Sequence, residues 1–90
     1  MTQHAIADLK DISKDLQNSL LENLKILESA PFPSKTLIKR LRGFRTPVYR
    51  LRVGDFRILY RIQQESVIIL RVIDRKLLDR VVKRMGARSS

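Results

Sequence analysis

The chain has 90 residues, with 19 lysines and arginines against nine acidic residues and a formal charge of +10. Ninety residues make one domain with a modest core and leave little room for a deep substrate cavity. The lack of cysteine excludes disulfides and thiolate metal sites, and a lone histidine, His4, argues against a zinc centre.

No apolar run reaches the ~18 residues of a membrane span, and no secretory signal is visible, so the expectation is a cytoplasmic protein without a membrane partner. The charge implies attraction to polyanions, whether RNA, DNA or an acidic protein.

Residues 4–29 read as helix. Ile6, Leu9, Ile12, Leu16, Leu20, Leu24 and Leu27 recur at spacings of three and four, which marks one buried stripe. Ser13 is a candidate N-cap, so the stretch divides into helices over 4–12 and 14–29, an α-hairpin that Pro31 and Pro33 terminate. Residues 34–47 form a basic connector with Lys35, Lys39, Arg40, Arg42 and Arg45. There Leu37, Ile38 and Leu41 suggest a short helical turn, and the cations suit contacts that track a polynucleotide backbone without reading bases.

Residues 48–62 carry the clearest pattern, an alternation of period two broken by Gly54-Asp55. A type II′ turn there pairs Val53 with Phe56, Leu51 with Ile58 and Tyr49 with Tyr60 on an apolar face. The other face takes Arg52 opposite Arg57 and Arg50 opposite Leu59, with Arg61 beyond. Like charges placed opposite each other on a sheet are destabilising, whereas guanidinium forks suit phosphate oxygens. The pattern therefore favours an anion-binding face over an ordinary solvated one.

Val67–Ile73 reads as a third strand. A three-residue loop would pair Ile62 with Ile68, Tyr60 with Leu70 and Ile58 with Val72, and send Arg71 and Arg75 to the cationic side. A two-residue loop would instead drive Arg71 into the core at a cost of several kcal/mol. Asp74 can cap a last helix over 75–85, with Leu77, Leu78, Val81, Val82 and Met85 on its apolar side. Residues 87–90 read as a frayed end of the single domain 1–90.

The run Leu41-Arg42-Gly43, Tyr49-Arg50-Leu51-Arg52-Val53-Gly54-Asp55-Phe56-Arg57-Ile58-Leu59-Tyr60 and Val72-Ile73-Asp74-Arg75 resembles the RelE/ParE toxin superfamily of bacterial type II toxin–antitoxin systems. The resemblance spans roughly residues 5–85. It implies an α+β fold: an N-terminal α-hairpin packed on an antiparallel three-stranded β-meander, then a short C-terminal helix. The RelE branch implies a ribosome-dependent endoribonuclease that cleaves mRNA in the A site by attack of a ribose 2′-OH on the adjacent phosphorus. Arg50, Arg52, Arg57 and Arg75 fall on that branch's catalytic basic positions, and Lys35, Lys39, Arg40, Arg42, Arg45, Arg61 and Arg71 would bind RNA around them. The implied partners are a cognate acidic, RelB-like antitoxin, the ribosome and its mRNA, with operator DNA reached only through the antitoxin complex. No cofactor or metal is implied.

The chain departs from the pattern in its acid–base groups. Leu78 or Val81 falls where the branch carries a C-terminal tyrosine, and Asp74 stands where related sequences have histidine, a carboxylate that could accept a proton or pin Arg75 in place. Residues 1–4 are too short for the β-strand with which the superfamily usually begins. A ParE-like inhibitor of DNA gyrase that cleaves nothing is the alternative, and a plain nucleic-acid-binding module a third possibility.

Overall fold

A computed structural model describes residues 2–29, 38–64 and 66–85. The chain runs through helices α1 (Gln3–Lys10) and α2 (Lys14–Ser29), then strands β1 (Ile38–Leu41), β2 (Val48–Val53), β3 (Phe56–Gln63) and β4 (Ser66–Asp74). A single 3-10 turn (Arg75–Leu77) leads into α3 (Leu78–Arg84). The strands form one antiparallel sheet in sequence order, β1-β2-β3-β4. Among the described residues, no helix is long and apolar enough to cross a membrane.

The α-hairpin is present, and its stripe covers the apolar face of the sheet. Leu20 and Leu27 are fully buried there with Ile58 and Tyr60, next to Leu51, Ile69 and Val72. One position departs from expectation. Ile6 is exposed, and Ala5 takes its place in the core, on the side of α1 that packs against β4. Thr2 caps α1, its hydroxyl accepting the Ala5 N–H. At the break between the helices, the Gln17 amide donates to the carbonyls of Leu9 and Ile12, tying the first turn of α2 to the end of α1.

The β2–β3 hairpin has the register read from alternation: Tyr49 opposite Tyr60, Leu51 opposite Ile58, Arg52 opposite Arg57 and Val53 opposite Phe56. Gly54 opens the turn at φ 56° while Asp55 keeps a negative φ, as a type II′ turn requires. Tyr49 and Tyr60 stack with ring centroids 5.6 Å apart.

Three expectations are corrected. The sheet has four strands rather than three, since Ile38–Leu41 pairs with β2 instead of forming a helical turn. Positions three apart fall on opposite faces of a strand, and both sides are apolar here. Ile38 enters the core under the helices, and Leu41 packs against a second cluster on the far face.

That second cluster is the next correction. The face opposite the α-hairpin is not cationic throughout, because α3 covers Leu59 and Ile73 with Val81, joined by Leu70, Leu78, Val82 and Met85.

The third concerns β3–β4. Gln63 pairs with Ser66, so the loop has two residues, and the partners are Ile62 with Val67 and Tyr60 with Ile69. Only Ile58 with Val72 stands as expected. A β-bulge between Leu59 and Tyr60 absorbs Leu70 as an extra residue and restores the phase beyond it. Arg71 is thereby kept out of the core by a bulge, not by a longer loop.

The bulge also fixes the edge of the sheet. Thr2 donates its N–H to the Ile69 carbonyl at 3.0 Å and its hydroxyl to the Leu70 carbonyl at 2.9 Å. Asp8 on α1 accepts from Arg71 Nε at 2.7 Å, from Arg71 Nη2 at 2.9 Å and from the Val72 N–H at 2.9 Å. The pair is largely shielded, with side-chain exposures of 27% for Arg71 and 16% for Asp8. Removing one partner of a shielded ion pair strands the other charge. Asp8→Ala is therefore expected to lower unfolding stability by about 3 kcal/mol, read as an earlier midpoint in urea at unchanged slope.

Candidate functional site

The hairpin carries its cations on the face away from the α-hairpin. Residues directly opposite each other in the ladder share a face, so Lys39, Arg50, Leu59 and Arg71 form one row and Arg52, Arg57 and Ile73 another. The turn brings in one more arginine. The Asp55 carbonyl accepts the Arg75 N–H at 2.8 Å, which ties the start of the 3-10 turn to the tip of the hairpin. Arg50, Arg52 and Arg75 thus surround Arg57, and all four candidate catalytic residues fall together.

Arg57 is the centre of this group. It is only 9% exposed, and its Nη1 donates to the carbonyls of Gly54 and Phe56, both at 2.9 Å. Burial is the main effect lowering its pKa, and the positive charges of Arg50, Arg52 and Arg75 add to it; Asp55 opposes them weakly. The guanidinium remains charged, as arginine does in proteins. Its charge is incompletely solvated and surrounded by like charge, which is the condition under which an anion binds most favourably.

Two carboxylates lie close. Asp55 stands 3.8 Å from Arg75 Nε, with side-chain exposures of 77% and 59%, so water screens the pair and it holds little energy. Asp74 caps the 3-10 turn by accepting the Lys76 N–H at 2.9 Å. Its placement is that of a cap; the residue in contact with Arg75 is Asp55, which alternation alone marks only as a turn residue.

The outer cations are divided. Lys39 is exposed beside Arg50, and Arg42 and Arg45 are exposed in the β1–β2 connection. Arg40 sits opposite Tyr49 and so belongs to the face of the helices, away from the cluster. Arg71 is held by Asp8, and its hydrogen bonds to that carboxylate raise its pKa against the smaller effect of burial. It is a structural residue, not a free contact. Arg61 shares the face of Arg57 but lies beyond Leu59, at the far side of α3. Lys35 lies outside the described residues.

Among the described residues, the groups nearest the arginines that could exchange a proton are the carboxylates of Asp55, beside Arg75, and of Asp74, engaged as a cap. Tyr60 is buried in the core on the opposite face, and burial, aided by Tyr49, pushes its pKa up to about 12. Among the described residues, no three side chains of metal-ligating type come together. The arrangement is suited to hold and neutralise a phosphate rather than to exchange protons with it.

Residues 1–77 match the family described as the ParE toxin of the type II toxin–antitoxin system parDE. A curated protein of Methanocaldococcus jannaschii, named as a toxin, RelE1, is 34% identical over 76 residues, covering 82% of this chain and 83% of the relative. The crystal structure of a RelB–RelE antitoxin–toxin complex from Methanococcus jannaschii superposes with a TM-score of 0.69 at 22% identity, over 89% of this chain and 94% of the matched one. The last likeness shows the fold.

The repulsion within the cluster is open to measurement. Arg52→Thr removes the charge opposite Arg57 and leaves a residue suited to a strand. It is expected to stabilise the chain by roughly 0.5 kcal/mol at low salt, with the gain shrinking as salt screens the pair; urea unfolding at two ionic strengths reads both.

Proposed function

The chain belongs to the RelE/ParE superfamily of toxins from toxin–antitoxin systems, and from that premise we propose that it is a ribosome-dependent endoribonuclease that stops translation by cutting mRNA. The observation that carries this reading is the convergence of Arg50, Arg52 and Arg75 on a buried Arg57. A patch of this kind fits a scissile phosphodiester held between guanidinium groups.

The step would be an attack of a ribose 2′-OH on the adjacent phosphorus. The 2′-O–P bond forms, the P–O5′ bond breaks, and the products carry a 2′,3′-cyclic phosphate and a free 5′-OH. Negative charge builds on the non-bridging oxygens at the transition state, and Arg57 and Arg75 would stabilise it there. Arg50, Arg52 and Lys39 would hold the flanking backbone. Arginine is a poor base, so proton transfer would fall to the ribosome or to solvent, and alignment of the 2′-OH on the bound message would supply much of the acceleration.

The partner that keeps such a toxin silent would be an acidic, RelB-like antitoxin lying over the same cations. Operator DNA would be met only through that complex.

A second reading has its own support. The matching family is that of the ParE toxin, and the two carboxylates beside the arginines serve as a loose partner of Arg75 and as a cap, which suits a gyrase inhibitor that cleaves nothing. Message cleavage on programmed ribosomes and supercoiling by purified gyrase separate the two.

Arg75→Ala is the cleaner test, since the Arg75 side chain is exposed whereas Arg57 also binds the turn. Loss of an electrostatic contact made to the transition state is expected to slow cleavage about a hundredfold or more, with unfolding unchanged. Full cleavage by both Arg57→Ala and Arg75→Ala would remove the site. Binding to ribosomes should also weaken steeply with salt, as counterion release demands.

A further inference from the structure

Beyond the arginine cluster, on the same face of the sheet, lies a cleft of about 340 Å³. It is bounded by Phe44, Arg45 and Thr46 from the β1–β2 connection, by Val48 and Arg61 from the strands, and by Leu70 and Met85. Arg61 gives it an unusual feature. Its Nε is shielded from solvent and has no hydrogen-bond partner, the one such side-chain atom among the described residues. A charged donor in that condition costs free energy until an acceptor reaches it.

The walls say what kind of acceptor. A carboxylate or a bare phosphate would meet Arg61 and leave Phe44, Val48, Leu70 and Met85 facing nothing. A flat ring carrying acceptors on one edge would use both halves: a π-face against apolar and aromatic side chains, and an edge against the guanidinium. Guanine offers O6 and N7 as two acceptors on one edge, the pattern to which arginine binds in bidentate fashion. On that edge adenine sets an amino donor beside N7, and cytosine offers an amino donor with no second acceptor, so neither presents the pair.

Position supports the assignment. Arg61 follows Arg57 by four residues on β3, about 13 Å at ~3.4 Å per residue. α3 blocks the direct line over Leu59, but Arg50, Arg52 and Lys39 leave a cationic path along β2 and β1. A strand held by its phosphates on that path would come off the cluster with its next bases near the cleft.

We propose that this cleft is a nucleobase subsite, in which Arg61 and Phe44 take an unstacked guanine of the RNA strand gripped by the arginine cluster. The subsite rests on the reading of that cluster as RNA-binding, and the experiment separates the two. The full-length protein is titrated with fluorescent single-stranded RNA hexamers, one of uridine alone and one with a single guanosine, at two salt concentrations.

The wild-type protein is expected to bind the guanosine hexamer about tenfold more tightly, the scale of one bidentate base contact. Arg61→Lys keeps the charge but loses the fork, and Phe44→Ala removes the ring. Each should erase the preference, so that the two hexamers bind alike. Urea unfolding checks that both variants are folded, and either one suffices. Equal affinity of the wild type for both hexamers, or a preference that survives both substitutions, would overturn the subsite and leave the arginine cluster standing. Absence of salt-sensitive binding to either hexamer would overturn the RNA reading itself, and the subsite with it. If the hexamers are not distinguished, but hexaglutamate binds and loses affinity in both variants, the cleft serves a protein carboxylate and the proposal fails.

Discussion

Asp8 holds the fold in register. Its carboxylate grips both sides of the Arg71 fork and the neighbouring Val72 N–H, joining the first helix to the last strand across more than sixty positions of chain. A short loop would by itself turn Arg71 toward the apolar interior, and the bulge at Leu70 turns it away again. Thr2 occupies the carbonyls that the bulge leaves facing outward. With these contacts made, β4 is held against β3 on both sides of the bulge, and the Arg57 face lies away from the α-hairpin.

The face so presented carries an internal tension. Four arginines collect at one end of a small sheet where, among the described residues, Asp55 is the carboxylate in contact with them, and that contact is loose and exposed. Backbone carbonyls of the turn take one nitrogen of the Arg57 guanidinium and hold it rigid without cancelling its charge. A carboxylate in their place would have stabilised the free protein more and left the site neutral. Uncompensated charge at an ordered position is how proteins concentrate affinity for an anion, and sequence families tolerate the associated loss of stability at functional surfaces.

Much of this was legible in the amino-acid sequence where the physics is local. Alternation fixes faces, and a glycine-led turn fixes register, so the pairing of β2 with β3 and the company of Arg50, Arg52 and Arg57 could be read directly. Arg75 reaches the cationic side in the sequence reading through an assumed three-residue loop and takes its catalytic role from family likeness, whereas the fold brings it there through the Asp55 carbonyl. What could not be read depends on distant or irregular features. A bulge leaves no mark in a period of two. The strand at Ile38–Leu41 hides because its apolar residues are spaced as in a helical turn, and only a second core on the far face gives Leu41 a place. Asp8 is one exposed-looking carboxylate among several on α1 and α2 until β4 is set beside it. Arg40 and Arg71 were grouped with the other cations by charge; register puts the first on the wrong face and α1 neutralises the second.

The two outer strands of the sheet differ in a way that bears on self-association. Along β4, Thr2 and Asp8 take up the Ile69 and Leu70 carbonyls and the Val72 N–H, whereas β1, the other outer strand, exposes Lys39 and Arg40 side by side. Two copies meeting along β1 would set ammonium and guanidinium groups against their own kind, a common protection of sheet margins against polymerisation. Dissolved polyanions would weaken that protection by neutralising the groups that provide it. The charge that guards this margin is the same charge that attracts polyanions, so colloidal behaviour would gauge how much of the basic surface is occupied.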